Sequence, residues 1–117
     1  MRHHDRNKKF GRETNERNAL MRSLARSLIL HGKIMTTEAK AKAIRPIVEK
    51  LVTHAKNPTV AAQRLISARL GGDEEVTAQL IKEVAPKYKE RPGGYLRIVK
   101  MGKKGSDARD TAMIEFV

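Results

Sequence analysis

Apolar residues first recur at helical spacing at Leu20, Met21, Leu24, Leu28 and Ile29, which form one stripe. Residues 1–13 show no such period, so they are expected to form an extended arm. The stripe predicts a helix that starts near Thr14 or Asn15, both competent caps, and ends at His31 with Gly32 just beyond it. Arg22 and Arg26, four apart, are expected to share an exposed row. Lys33–Thr36 suits only a brief strand.

Ile44, Ile47, Val48, Leu51, Val52 and Ala55 then repeat at three and four, which predicts a second helix from about Thr37 to Ala55. Pro46 removes an intrahelical donor within it, and a kink is expected there. Asn57 followed by Pro58 predicts a cap and first turn for a third helix, through Leu65 to Leu70. Gly71–Asp73 closes that helix and caps a fourth, carrying Val76, Leu80, Ile81 and Val84 and ended by Ala85-Pro86. A turn at Arg91–Gly94, a strand at Tyr95–Met101, a polar loop at Gly102–Asp110 and a strand at Thr111–Val117 complete the pattern. Ala112, Ile114 and Phe116 share one face of the last strand. The expected fold is α+β: about four helices on a sheet of two to three strands, with a basic arm at 1–13 and one globular domain at 14–117.

Charge changes the picture from a fold to a partner. The 117 residues carry 25 Lys and Arg against 13 Asp and Glu, a net charge of +12. Such an excess favours a nucleic acid or an anionic membrane. No apolar run approaches the ~20 residues of a membrane span, and no apolar segment follows the first charges, so neither a membrane nor a secretory signal is expected. The absence of cysteine excludes disulfides and thiolate metal sites and fits a reducing cytoplasm. Residues 71–90 hold 3 basic and 5 acidic side chains, whereas both flanking regions are basic. That pattern suits a protein embedded in a polyanion with one edge left in solvent.

Candidate chemistry is correspondingly narrow. His3 and His4 are adjacent, so on an extended segment they point to opposite sides and do not share an ion. His31 and His54 lack the spacing of a metal motif. No carboxylate pair, Ser–His–Asp order or glycine-rich nucleotide loop stands out. No catalytic residue, metal, cofactor or small-molecule substrate is therefore expected, and the chain does not read as an enzyme.

The basic residues are the better candidates. Arg2, Arg6, Lys8, Lys9 and Arg12 would be phosphate neighbours in the arm, with Phe10-Gly11 as the hinge into the domain. Arg17, Arg22 and Arg26 continue the run into the first helix. Lys40 and Lys42 lie among Ala39, Ala41 and Ala43, which would let a sugar–phosphate chain come close. Thr36 and Thr37 offer hydroxyls at a helix start, and serve about as well as caps alone. Arg97, Lys103 and Lys104 add candidates on the hairpin. Aromatics make up only 3%, too few for a base-stacking platform, so the grip would be on phosphates and shape. A DNA-binding regulator or nucleoid-associated protein is the competing class, with His31–Lys33 as a helix-turn-helix turn. A second helix poor in Asn and Gln, and the strand between the helices, weigh against it.

Several blocks of residues resemble one known family. They are "MRH" at the start, "GR" at 11–12 and R-x-A-L-x-R-x-L at 17–24. I-x-T-T-x-A-K-A-K at 34–42 and R-P-x-x-E-K-L-x-T at 45–53 follow, and then the pair GGY-x-R-I-x-K at 93–100 and A-M-I-E-F-V at 112–117. Together they are similar to the bacterial large-subunit ribosomal protein family numbered seventeen. The resemblance implies an α+β protein bound to large-subunit ribosomal RNA near the polypeptide exit side, beside neighbouring ribosomal proteins, in the cytoplasm. It implies RNA-facing roles for Arg2, His3, Arg12, Arg17, Arg22, Thr36, Thr37, Lys40 and Lys42. The chain departs from the family pattern at His4-Asp5, Glu16 and Gly32.

Overall fold

A computed structural model describes residues 13–104 and 109–117 of the chain. The arm expected at 1–13 lies, apart from Glu13, outside the described residues.

The first helix, α1, spans Thr14–His31. Its cap is Glu13, one residue earlier than expected: Glu13 is extended and its carbonyl accepts the Arg17 amide at 2.8 Å. Gly32 ends it as the sequence predicts, at φ 80°, with its amide on the Leu28 carbonyl at 2.8 Å. Leu28, Ile29 and Ala25 are buried, while Met21 and Leu24 pack at the margin of the core.

The brief strand is β1, Lys33–Thr37, and it leads directly into α2, Glu38–Ala55. The helix continues through Pro46, whose exposed ring faces away from the core. Ala41, Ile44, Val48, Leu51, Val52 and Ala55 form its buried face. Ile47, placed by periodicity on that face, is instead exposed.

Helix α3 spans Val60–Arg69 and is capped by Thr59, not Asn57. The Thr59 hydroxyl accepts the Ala62 amide at 3.2 Å, which leaves Pro58 before the cap instead of in the first turn. Asp73 caps α4, Glu74–Gln79, as expected, accepting the Val76 amide at 3.1 Å. The chain does not stop at Ala85-Pro86. It widens to a π-helical segment over Leu80–Val84 and tightens to a 3-10 turn over Ala85–Tyr88. Pro86 is tolerated because it falls in the first turn of that new segment, where its missing amide has no helical partner to lose.

Strands β2, Leu96–Lys104, and β3, Arg109–Phe116, extend into the region expected to be a polar loop. A bulge between Lys100 and Gly102 shifts their register. Both β1 and β2 pair with β3 antiparallel, giving the order β1-β3-β2 with β3 central. Ile34, Ile114 and Ile98 lie opposite one another on the face that meets the helices. The result is the expected α+β arrangement, four helices on one side of three strands, around one core that includes Ile66, Leu70, Leu80 and Tyr95.

Candidate nucleic-acid interface

Helix α1 carries three of the candidate cations. Arg26 donates from Nη1 to the Leu70 carbonyl at 3.2 Å, and its Nε lies 4.0 Å from Asp73 Oδ2. It therefore joins α1 to the turn between α3 and α4. Arg22 runs past the same turn: a Cβ built on Gly71 would lie 3.1 Å from Arg26 Nη1 and 3.4 Å from Arg22 Cδ. The row expected to be exposed is thus half-buried at both arginines, because the Gly71-Gly72 turn, with φ of 74° and 81°, comes up against α1. Arg17 is half-buried one turn earlier.

The start of α2 carries the second group. Thr37 is its cap, with the hydroxyl accepting the Lys40 amide at 3.3 Å. Thr36 is half-buried opposite Ala112 on β3. Glu38 gathers two lysines, Lys42 Nζ at 2.8 Å and Lys100 Nζ at 3.4 Å. The hydrogen bond from Lys42 is the main reason the Glu38 carboxyl ionises below its ordinary value; partial burial opposes this and Lys100 adds to it. The alanines differ from expectation. Ala41 is in the core, since the helical period turns it inward with Ile44 and Val48, so only Ala39 stands fully exposed.

On the hairpin, Arg97 Nε sits 2.7 Å from Glu115 Oε1 on the neighbouring strand. Lys103 and Lys104 belong to β2, not to a loop, and Lys103 is exposed. The candidates consequently divide into two sets. Arg26, Lys42 and Arg97 are already compensated by Asp73, Glu38 and Glu115. Arg17, Arg22, Lys40 and Lys103 form no ion pair or side-chain hydrogen bond with any described residue. Arg2, His3, Arg6, Lys8, Lys9 and Arg12 lie outside the described residues.

Sequence reading passed over a cationic group at the other end of α2. Lys56 Nζ donates to the Arg91 carbonyl at 2.5 Å and to the Tyr95 hydroxyl at 3.0 Å. The Arg91 guanidinium stands 5.8 Å from the centre of the Tyr88 ring. These contacts tie the segment before β2 to α2 and give both cations a structural task. Lys50 and His54 are exposed beside them, four apart on the helix, a spacing that could have marked them in the sequence. Among the described residues, no group of three or more His, Cys, Asp or Glu side chains is placed to hold a metal ion. No described helix is long and apolar enough to cross a membrane.

Fold and surface together describe a small, strongly basic α+β protein whose cations are displayed on helices. Within that class the chain belongs to one family: residues 20–117 match the family model described as Ribosomal protein L17. The large ribosomal subunit protein bL17 of Persephonella marina is 55% identical, covering 100% of this chain and 95% of its own length. That of Thermomicrobium roseum is 50% identical over 100% and 99%, and that of Dictyoglomus turgidum 46% identical over the whole of both. The resemblance read from the sequence is confirmed, and membership makes the chain a large-subunit ribosomal protein, part of the translation ribonucleoprotein.

Proposed function

We propose that this protein is a non-enzymatic structural constituent of the bacterial large subunit that binds and braces large-subunit ribosomal RNA through its phosphates, in the cytoplasm and near the polypeptide exit side. One observation supports it most: Arg17, Arg22 and Lys40 stand on helices with no partner among the described residues, while nearby Arg26 and Lys42 are neutralised. Unpaired cations on rigid elements are the groups that can release counterions from RNA. Arginine at two of the three positions suits bidentate contact with phosphate oxygens. The arm, residues 1–13, supplies Arg2, His3, Arg6, Lys8, Lys9 and Arg12 as further phosphate contacts, beside one domain at 14–117. Thr36, Thr37, Arg26, Lys42, Lys103 and Lys104 complete the contact set, the compensated cations contributing less, and Arg97, held by Glu115 on the open face of the sheet, is left outside it.

The DNA-regulator alternative loses its motif. Residues 31–33 are not a turn between two helices, because β1 stands between α1 and α2 and pairs with β3. The test is binding of the full chain to large-subunit ribosomal RNA across salt. With ~6–10 phosphates contacted, affinity is expected to fall ~10³–10⁵-fold between ~50 and ~200 mM. A slope near zero would sink the reading.

A further inference from the structure

Among the described residues, helices pack on one face of the sheet, and its other face carries a row of apolar side chains. Met35 lies opposite Met113, and Met113 lies opposite Val99, so the three stand side by side across all three strands. They alternate with Ile34, Ile114 and Ile98, which face the core, and so point the opposite way. Met35 is 54% exposed and Val99 37%. Lys33, Glu115 and Arg97 form the neighbouring row on the same face.

We infer that this open face is the seat of an extended, apolar segment of a neighbouring ribosomal protein, with a carboxylate placed against Lys33. Charge argues for a polypeptide and against RNA. In the row beside the apolar one, Arg97 is neutralised by Glu115 at 2.7 Å, and Lys33 alone is unpartnered among the described residues. RNA is held by several free cations; of the free candidates, Arg17, Arg22 and Lys40 stand on α1 and α2, and Lys103 lies past the bulge at the far end of β2. Two methionines in the row suit a surface that moulds itself to apolar side chains. Size argues against a second copy of this chain. The outer strands are ~10 Å apart and five strand residues span ~17 Å, well short of the ~800 Å² per partner of a standard stable interface. The chain's own basic arm fits poorly as well, since between Arg2 and Arg12 Phe10 is its only large apolar residue. An extended segment with apolar residues at alternate positions matches three side chains in a line.

This inference rests on membership of the subunit but not on the RNA contacts, so the two fail separately. A diazirine analogue of methionine is placed at position 35, or separately at 113, in the full chain, which is then assembled into large subunits and irradiated. Position 60, where Val60 is 64% exposed on α3, serves as the control. The expected product at 35 and 113 is a peptide adduct that sequences to a non-globular segment of one ribosomal protein, absent at position 60. Adducts to RNA, to residues 1–12 of this chain or to a second copy, or no adduct at all, would each overturn it. A companion variant, Met35→Glu, alters only the exposed face. It is expected to cut the adduct at position 113 at least ~10-fold while leaving the salt slope for ribosomal RNA unchanged. An unchanged adduct yield in a folded Met35→Glu protein would also overturn the inference.

Discussion

Arg26 on α1 and Leu70 at the end of α3 are 44 residues apart in sequence, yet the guanidinium donates to the carbonyl at 3.2 Å. An arginine that the charge pattern assigns to a polyanion thus closes a helix end, where carbonyls lack partners. Arg26→Ala is expected to destabilise the fold by about 1–3 kcal/mol, because it leaves the Leu70 carbonyl short of a donor. Chemical denaturation measures this directly. Arg22→Ala, which removes no such bond, is expected to stay within about 0.5 kcal/mol of the parent.

The same pair separates stability from RNA binding. Arg22→Ala, Arg17→Ala and Lys40→Ala are each expected to lower the salt slope for ribosomal RNA by about 0.9 for every phosphate no longer neutralised. Lys42→Ala and Arg97→Ala, whose charges are already met by Glu38 and Glu115, are expected to change it by less than half as much. Equal effects in the two sets would remove the distinction between free and compensated cations.

Glu38 gives the fold a pH dependence in acid. Its folded carboxyl ionises below the ordinary value, first through the Lys42 hydrogen bond, against partial burial, with Lys100 adding to it. A depressed carboxylate stabilises the native state above its unfolded value and loses that contribution as pH falls through the folded one. Carboxyl-carbon NMR titration should place Glu38 below a free glutamate, and Lys42→Met should raise it toward the ordinary value. No movement in that variant would show the hydrogen bond to be idle.

The two tyrosines are expected to titrate on opposite sides of the ordinary phenol value. Burial raises Tyr88, whose hydroxyl donates to the Val117 carbonyl at 2.5 Å, with Arg91 opposing. Burial would raise Tyr95 too, but the Thr53 and Lys56 hydrogen bonds and the Lys56 charge outweigh it and lower the net value. Phenolate absorbance against pH should resolve two steps, and Lys56→Met should move the earlier one upward. A single step at the ordinary value would contradict both environments.

Gly32 and Gly71 both sit at positive φ, 80° and 74°, but in different surroundings. Alanine at Gly32 meets open space and is expected to cost about 1 kcal/mol from backbone conformation alone. Alanine at Gly71 also crowds Arg26 Nη1 at 3.1 Å and should cost more, by disturbing the Leu70 contact. Thermal unfolding of both variants checks the order.

Periodicity makes α1, α2 and the apolar side of β3 legible, because burial there follows a single repeating spacing. It fails where tertiary contact or local chemistry decides. Ile47 fits the repeat of α2 but faces out, and Ala41, which its lysine neighbours would lend to a ligand, faces in. Asn57 and Thr59 are both acceptable caps, and only the hydroxyl bond to Ala62 distinguishes them. The widening at Leu80–Val84 has no composition signal of its own. Composition makes the basic character plain, but a sequence does not show which cation meets which acid. Glu115 lies 18 residues from Arg97, and only the strand register brings them together.

The central position of β3 has a consequence for synthesis. Lys33 must wait for Glu115, and Arg97 for the same residue, so neither outer strand has a partner until β3 has been translated. The helices can form as they emerge, because their bonds are local, but the sheet closes a long loop late. Until then Ile34 and Ile98 have no Ile114 between them, and the core stays open along one side. A nascent chain halted before residue 109 would carry 24 of its 25 Lys and Arg side chains and its sheet not at all.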